Sequence, residues 1–435
     1  MKTLLPFLIP LLLSLGSNSA REPGDVSEPG GPAEPNRFIG QPRTADQHYH
    51  DGQLRPAVGV HSYQALRANK THPPEDDGSG NRYNHSPMLT YWNDQFHMCY
   101  VASAWKEHGA PTQTYLMSSA NGRDWDQPRL IFPAIEYEAG LYTIATHRMA
   151  FYVAPDGRLL VSSFLGIPVG PTASPVTGHG VGRFVREVYE DNTLGPIYAL
   201  RAMPHAGYPM ERVSQFHPSF EEADDGGFVD ACRSLLANKL LTQQWWEEDR
   251  SRDGFYVLDD AVEGYDCKGM CFFHRKDGKV VGLWKRGFAA ISEDEGNSWS
   301  TPVKIHTKPV GGAKEWAQRT TDGRYALVYN PMPGSYYRWP LGVITGDDGI
   351  TFDNLLAVQT EVPRARFTGQ FKNPGSNYVR GILEGNGTPP GECFWVTFSM
   401  NKEDLWVSRI PVPIVGQVRA PVSDSFESPE ALQSW

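Results

Sequence analysis

Ser292-Glu-Asp294-Glu-Gly296-Asn-Ser-Trp299 decides how this chain is read, because the pattern returns as Thr345-Gly-Asp347-Asp-Gly349-Ile-Thr-Phe352. Both fit the turn S/T-x-D-x-G-x-x-W/F, the Asp box. Its aspartate is expected to accept turn amides, its glycine to take a positive φ, and its aromatic to pack beneath the hairpin. Ser118-Ser-Ala-Asn-Gly122-Arg-Asp-Trp125 is a degenerate copy without the first aspartate. Each copy follows a short apolar strand. The chain therefore predicts an all-β ring of repeated sheets, a β-propeller, in which Asp294 and Asp347 are structural.

Working outward, segments opening near His85, His147, Gln215, Lys268, Lys314 and Gln370 each lead toward a strand, at roughly 50 residues per unit. In the first, Asn81-Arg-Tyr-Asn-His85-Ser-Pro-Met-Leu-Thr-Tyr-Trp reads as a strand beginning at His85. A turn at Asn93-Asp94 and a return over Gln95 to Ser103 follow. A further unit is expected to pair the region Val58–Tyr63 with the C-terminal strand Trp406–Pro411, which removes exposed sheet edges. The expectation is seven blades, with six as the alternative. Phe228 to Trp246 breaks the strand pattern with apolar residues at helical spacing, so one helix is expected between blades, covering apolar surface.

The termini differ in composition. Residues 1–20 carry Lys2, the apolar run Leu4 to Leu15 and small residues up to Ala20, the pattern of a secretory signal peptide. Residues 21–50 read as a disordered linker rich in Pro and Gly, 51–420 as the catalytic propeller and 421–435 as a C-terminal tail. No other segment is apolar enough to span a bilayer, so a secreted, extracellular protein is expected. The five cysteines leave at least one thiol unpaired even in an oxidising compartment, and Cys267-Lys-Gly-Met-Cys271 could bridge a tight turn. A net charge of −10 disfavours nucleic acid. A closed ring with few edges points to a monomer.

Propeller geometry sends the start of each inner strand to the mouth of the axis. His85, His147, Arg148, Gln215, His217, Lys268, Lys314 and Gln370 would then meet there, a basic and amide-rich set. Most glycoside hydrolases use two carboxylates, although sialidases use a tyrosine nucleophile beside arginines. A histidine-centred basic mouth also suits β-elimination from a uronic acid. There a base removes the C5 proton, cations stabilise the enolate-like charge, and an acid protonates the leaving oxygen. His85 is the candidate base and acid, and the others are candidate substrate-binding groups. No cofactor or metal is required, and a structural calcium in the channel is compatible with the sequence without being demanded by it. Tyr91-Trp92 and Trp284 are candidates for stacking on sugar, against a packing role between blades.

The stretch Asn81-Arg-Tyr-Asn-His85-Ser-Pro, the two Asp boxes and a closing run resemble one family. The closing run comprises Tyr378-Val-Arg-Gly-Ile with Gly385-Asn-Gly-Thr-Pro-Pro, and Phe398-Ser-Met-Asn-Lys-Glu-Asp-Leu-Trp-Val-Ser-Arg-Ile-Pro-Val-Pro. The family is the secreted L-rhamnose-α-1,4-D-glucuronate lyases, polysaccharide lyase family 42. The resemblance extends over most of residues 57–416 and is to a fungal-type member. It implies a seven-bladed propeller that removes terminal rhamnose from glucuronate on acidic arabinogalactan of the gum arabic type. It also implies that the catalytic histidine is His85.

Overall fold

Repeated antiparallel hairpins organise the chain into blades of four strands. The computed structural model describes residues 37–38, 45–46, 48–70, 80–107, 109–145, 150–168, 179–247, 269–285, 287–304, 313–332 and 336–418. Blade 1 runs Tyr83–Trp92, Gln95–Ser103, Thr112–Ser119, Arg129–Phe132. Blade 2 runs Ala150–Val153, Leu159–Gly166, Gly180–Val188, Tyr198–Ala202, and the short strand Ile144–Ala145 joins it to blade 1. Blade 3 is Cys271–His274, Val280–Trp284, Phe288–Ser292, Val303–Lys304. Blade 4 is Trp316–Arg319, Tyr325–Tyr329, Leu341–Gly346, Thr351–Gln359.

Blade 5 closes the ring. Its strands Ser376–Gly381, Cys393–Met400 and Asp404–Pro411 come from the C-terminal end, and His61–Leu66 from near the start pairs antiparallel with the last of them. The expected pairing of the two ends is therefore present, and it supplies the outer strand of this blade.

The propeller expected from the Asp boxes is the fold, but five blades rather than seven or six are visible among the described residues. Two physical reasons account for the difference. Gln215 lies in the turn after the short helix Met210–Val213 and opens no strand. The unit closed by the two chain ends is also the same blade that the segment near Gln370 opens, so the two expected units are one. Within the expected linker, Arg37–Phe38 adds a parallel strand at the edge of blade 4. The signal peptide and the C-terminal tail lie outside the described residues, and no described helix is long and apolar enough to cross a membrane.

Blades are sandwiched face to face, so central strands lose the polar-apolar alternation of a one-sided sheet. Tyr325–Tyr329 and Val280–Trp284 are buried at every position. Close packing leaves no room at Gly282, where a Cβ would come within 2.5 Å of Trp284 and 2.7 Å of Trp299. Trp284 is fully buried edge-on against Trp299, so its role is packing.

The expected single helix is two, Gly226–Ala237 and Lys239–Gln243. Asn238 breaks the run because its side chain accepts from the Leu241 amide and caps the second helix. Leu235, Leu240, Leu241 and Trp245 pack with Leu160, Phe272, Val280 and Trp284, filling the wedge between blades 2 and 3. Leu235, Leu241 and Trp245 also reach the axis, where they line a cavity of about 40 Å³ with Met88, Phe151, Trp316 and Leu383.

The Asp boxes hold the far ends of the blades. Asp294 accepts from the Ser298 amide at 2.8 Å, Ser292 Oγ from the Gly296 amide at 2.9 Å, and Gly296 has φ 79°. In the second box it is Asp348, not Asp347, that accepts turn amides, from Ile350 and Thr351. Asp347 instead pairs with Arg324 at 2.6 Å. In the degenerate copy Asn121 takes the aspartate's place, accepting from the Arg123 and Asp124 amides.

Candidate functional site

In every blade the inner strand begins on the same face where the second strand ends. The residues leading into inner strands and the loops after second strands therefore converge around one end of the axis. From the inner-strand side come Tyr83 and His85 of blade 1, Lys314 ahead of blade 4, and Tyr378 of blade 5. From the loops come Glu107, Lys285, Arg338 and Lys402.

Two bulges aim the central pair. Pairing slips between His85 and Met88, with Ser86 at φ 55°, and again between Asn377 and Arg380, with Tyr378 itself at φ 54°. A left-handed conformation is costly for a tyrosine and persists only where the surroundings enforce it. Bulges re-aim side chains, and here the two neighbouring inner strands bring the His85 and Tyr378 rings to 4.3 Å between centroids. His85 is fully buried, with Nδ1 2.7 Å from Ser399 Oγ and the Tyr83 ring edge-on at 5.6 Å.

Among the described residues, four cations face the Tyr378 ring. The ammonium of Lys314 lies 3.6 Å from the ring centre, that of Lys402 5.6 Å, the guanidinium carbon of Arg338 5.7 Å and the ammonium of Lys285 5.9 Å. Lys314, Lys402 and Arg338 are all buried. Lys402 bonds Glu107 Oε2 at 2.5 Å, yet burial still lowers its pKa below the ordinary lysine value. Tyr83 is pushed well above the usual phenol range, first by burial and then by the Glu107 charge. Asn84 ties the start of blade 1 to this loop, donating through its amide to Lys402 O at 3.1 Å and through Nδ2 to Glu403 O at 2.8 Å.

The residues singled out in the sequence divide three ways. His85 and Lys314 meet at Tyr378. Gln370 sits in a turn on the same face, in the loop that enters blade 5, and nearby Lys372 anchors that loop on Glu403 and on Arg82 O. Gln215 and His217 do not reach the axis. Gln215 is exposed, and His217 packs edge-on at 5.5 Å against Phe184 on the third strand of blade 2. Burial and Arg186 lower the His217 pKa below the ordinary histidine value. His147, Arg148 and Lys268 lie outside the described residues. Tyr378, Glu107, Arg338 and Lys402 escaped sequence reasoning, although Tyr378 stands in the closing run quoted above. The described residues hold no cluster of three or more His, Cys, Asp or Glu that could bind a metal ion.

The fold and this mouth define a β-propeller with a buried cationic centre built around an aromatic pair. The family profile described as "Beta-prop_BT_1020:-like, N-terminal beta propeller" matches residues 35–262, more than half of the chain, and the protein belongs to that family. Among solved structures, one titled "Sialidase" is 38% identical with a TM-score of 0.81, covering 87% of this chain and 35% of its own. The present chain thus spans about a third of that protein's length. A leech intramolecular trans-sialidase complexed with 2,7-anhydro-Neu5Ac has a TM-score of 0.51 at 10% identity, over 82% of this chain and 71% of its own, and shares the fold alone. No curated protein sequence matches.

Proposed function

We propose that this protein is an extracellular glycoside hydrolase that removes a terminal sugar from acidic glycans, with Tyr378 as the reacting group. The observation that carries this reading is the cage of four cations around the Tyr378 ring. Positive charge held in a buried site favours negative charge on an acidic substrate and on a phenol oxygen beginning to react. In this reading the Tyr378 oxygen attacks the anomeric carbon, the aglycone departs protonated, and water then releases the sugar. In this reading Glu107, tied to Lys402, takes the phenol proton and returns it to the aglycone, while Lys314 and Arg338 hold the substrate carboxylate. Apolar packing by Leu235, Leu241 and Trp245 further down the axis favours a blind pocket, hence attack at chain ends. The apolar run Leu4 to Leu15 supports export.

A second reading keeps the same substrate class and changes the chemistry. The 4.3 Å approach of His85 to Tyr378 also suits β-elimination, with imidazole and phenol as the proton-transfer pair and the cations neutralising the uronate. That reading makes the reaction the release of terminal L-rhamnose from glucuronate on acidic arabinogalactan. Incubation with gum arabic, following free sugar and the ultraviolet absorbance of unsaturated uronate together, separates the two. Sugar without absorbance supports hydrolysis, and sugar with absorbance supports elimination. No sugar from any acidic glycan in a broad panel would defeat both.

A further inference from the structure

Large aromatic side chains are exposed on the mouth face, and they are not the ones that composition suggests. Tyr336 and Tyr337 are 59% and 50% exposed, with rings edge-to-face at 5.0 Å between centroids. Trp339, half-buried, lies 6.3 Å from Tyr337. Between them stands Arg338, which turns inward to the Tyr378 ring. Its backbone is fixed to the strand that carries Tyr378. The Arg338 amide donates to Pro374 O at 3.0 Å, and Ser376 donates to Arg338 O at 2.7 Å. One short segment therefore presents a cation to the centre and two aromatic rings to solvent.

Neighbouring loops continue this rim. Trp105 is 46% exposed and Phe371 47%, on loops that touch where Gly369 lies against Trp105 O. Rigid aromatic rings held half out of water bury apolar area at little entropic cost when something flat covers them. Their tether to the cationic centre says what that something is: the glycan chain behind the sugar being processed.

We propose that Tyr336 and Tyr337 form a stacking platform for the polysaccharide units next to the terminal sugar, so that the protein binds polymer rather than free oligosaccharide. This rests on the glycan-cleaving reading above, and the test is chosen so that the two can fail separately. Native gels are cast with soluble gum arabic arabinogalactan and, in parallel, with pectin. Migration is compared for the native protein, the double variant Tyr336→Ala/Tyr337→Ala and the double variant Tyr336→Phe/Tyr337→Phe. The expected result is retardation of the native protein and the phenylalanine variant in at least one polymer, with apparent affinity lowered about tenfold in the alanine variant. Because both tyrosines are half out of the fold, circular dichroism and melting of the alanine variant should match the native protein. Equal retardation of the native protein and the alanine variant, or no retardation of the native protein by either polymer, overturns the platform. Retardation of the expected pattern with no sugar released leaves the platform standing and removes the hydrolase reading instead.

Discussion

The two faces of the propeller each carry a dense charge cluster, and they differ in how charge is balanced. On the face opposite the mouth, His274 sits between two carboxylates. Nδ1 bonds Glu384 of blade 5, and Nε2 lies 3.0 Å from Glu295 in the first Asp box. Glu384, and after it Glu295, lift its pKa to about 9. At the mouth, by contrast, four cations of the described residues gather around one phenol ring, and Glu107 bonds one of them, Lys402. The far cluster surrounds its one cation with two carboxylates of the protein and lies only partly out of water, so it staples blades together. The mouth cluster is more deeply buried, with Lys314, Arg338 and Lys402 all out of water, and its cations are gathered around an aromatic ring. Charge density alone would not tell these apart.

The comparison can be broken most directly at Tyr378. Tyr378→Phe should lower the turnover rate about 10³-fold while leaving the melting temperature nearly unchanged, since the ring and its packing remain. Steady-state kinetics beside calorimetry checks this, and a variant of near-native rate would take the reaction away from Tyr378. A smaller effect is expected on stability at the buried pair. Glu107→Gln leaves the Lys402 ammonium buried without its carboxylate and should cost about 3 kcal/mol in urea denaturation. Replacing both partners, Glu107→Leu with Lys402→Met, should recover most of that loss. Equal destabilisation by the single and the double variant would mean that the pair is not the cause.

The smallest effect belongs to the far face. A histidine whose folded pKa stands above its ordinary 6.5 contributes stability that is complete below that value and fades as pH rises through about 9. With His274 36% exposed, solvent screening limits the contribution to about 1 kcal/mol. Between pH 7 and 10 the native protein should therefore lose about that much more stability than Glu384→Gln, with both equally active at pH 7. Parallel pH curves for the two proteins would show that the staple contributes nothing.

Much of the fold was legible because its determinants are local. The hairpin from Tyr83 to Ser103 turns at Asn93-Asp94, where both residues take positive φ, the requirement that made the turn readable. The closing pair was legible too, because a ring must hide its edges. What misled was a count. Pro209 starts a one-turn helix before Gln215 where a strand had been expected, and only tertiary pairing shows that both chain ends belong to one blade. In the second Asp box the pattern pointed to Asp347, and the hydrogen bonds give the turn to its neighbour Asp348 instead.

The positions of His85 and Lys314 beside Tyr378 were legible because strand openings in a propeller point to the axis. Trp284 attracted notice as an aromatic, yet it is fully buried, while Tyr336 and Tyr337 stand in solvent. Residue type does not report exposure when both faces of a sheet are covered.

By itself the sequence determined the repeated β-architecture, the box turns and the histidine at an inner-strand opening, since each depends on residues within a few positions of one another. The tertiary structure alone decided the number of blades and the meeting of Tyr378 with Lys285, Lys314, Arg338 and Lys402. Those five residues come from separate segments. Their convergence depends on how far each blade turns about the axis and on a bulge that swings one tyrosine inward, and neither leaves a mark in local sequence.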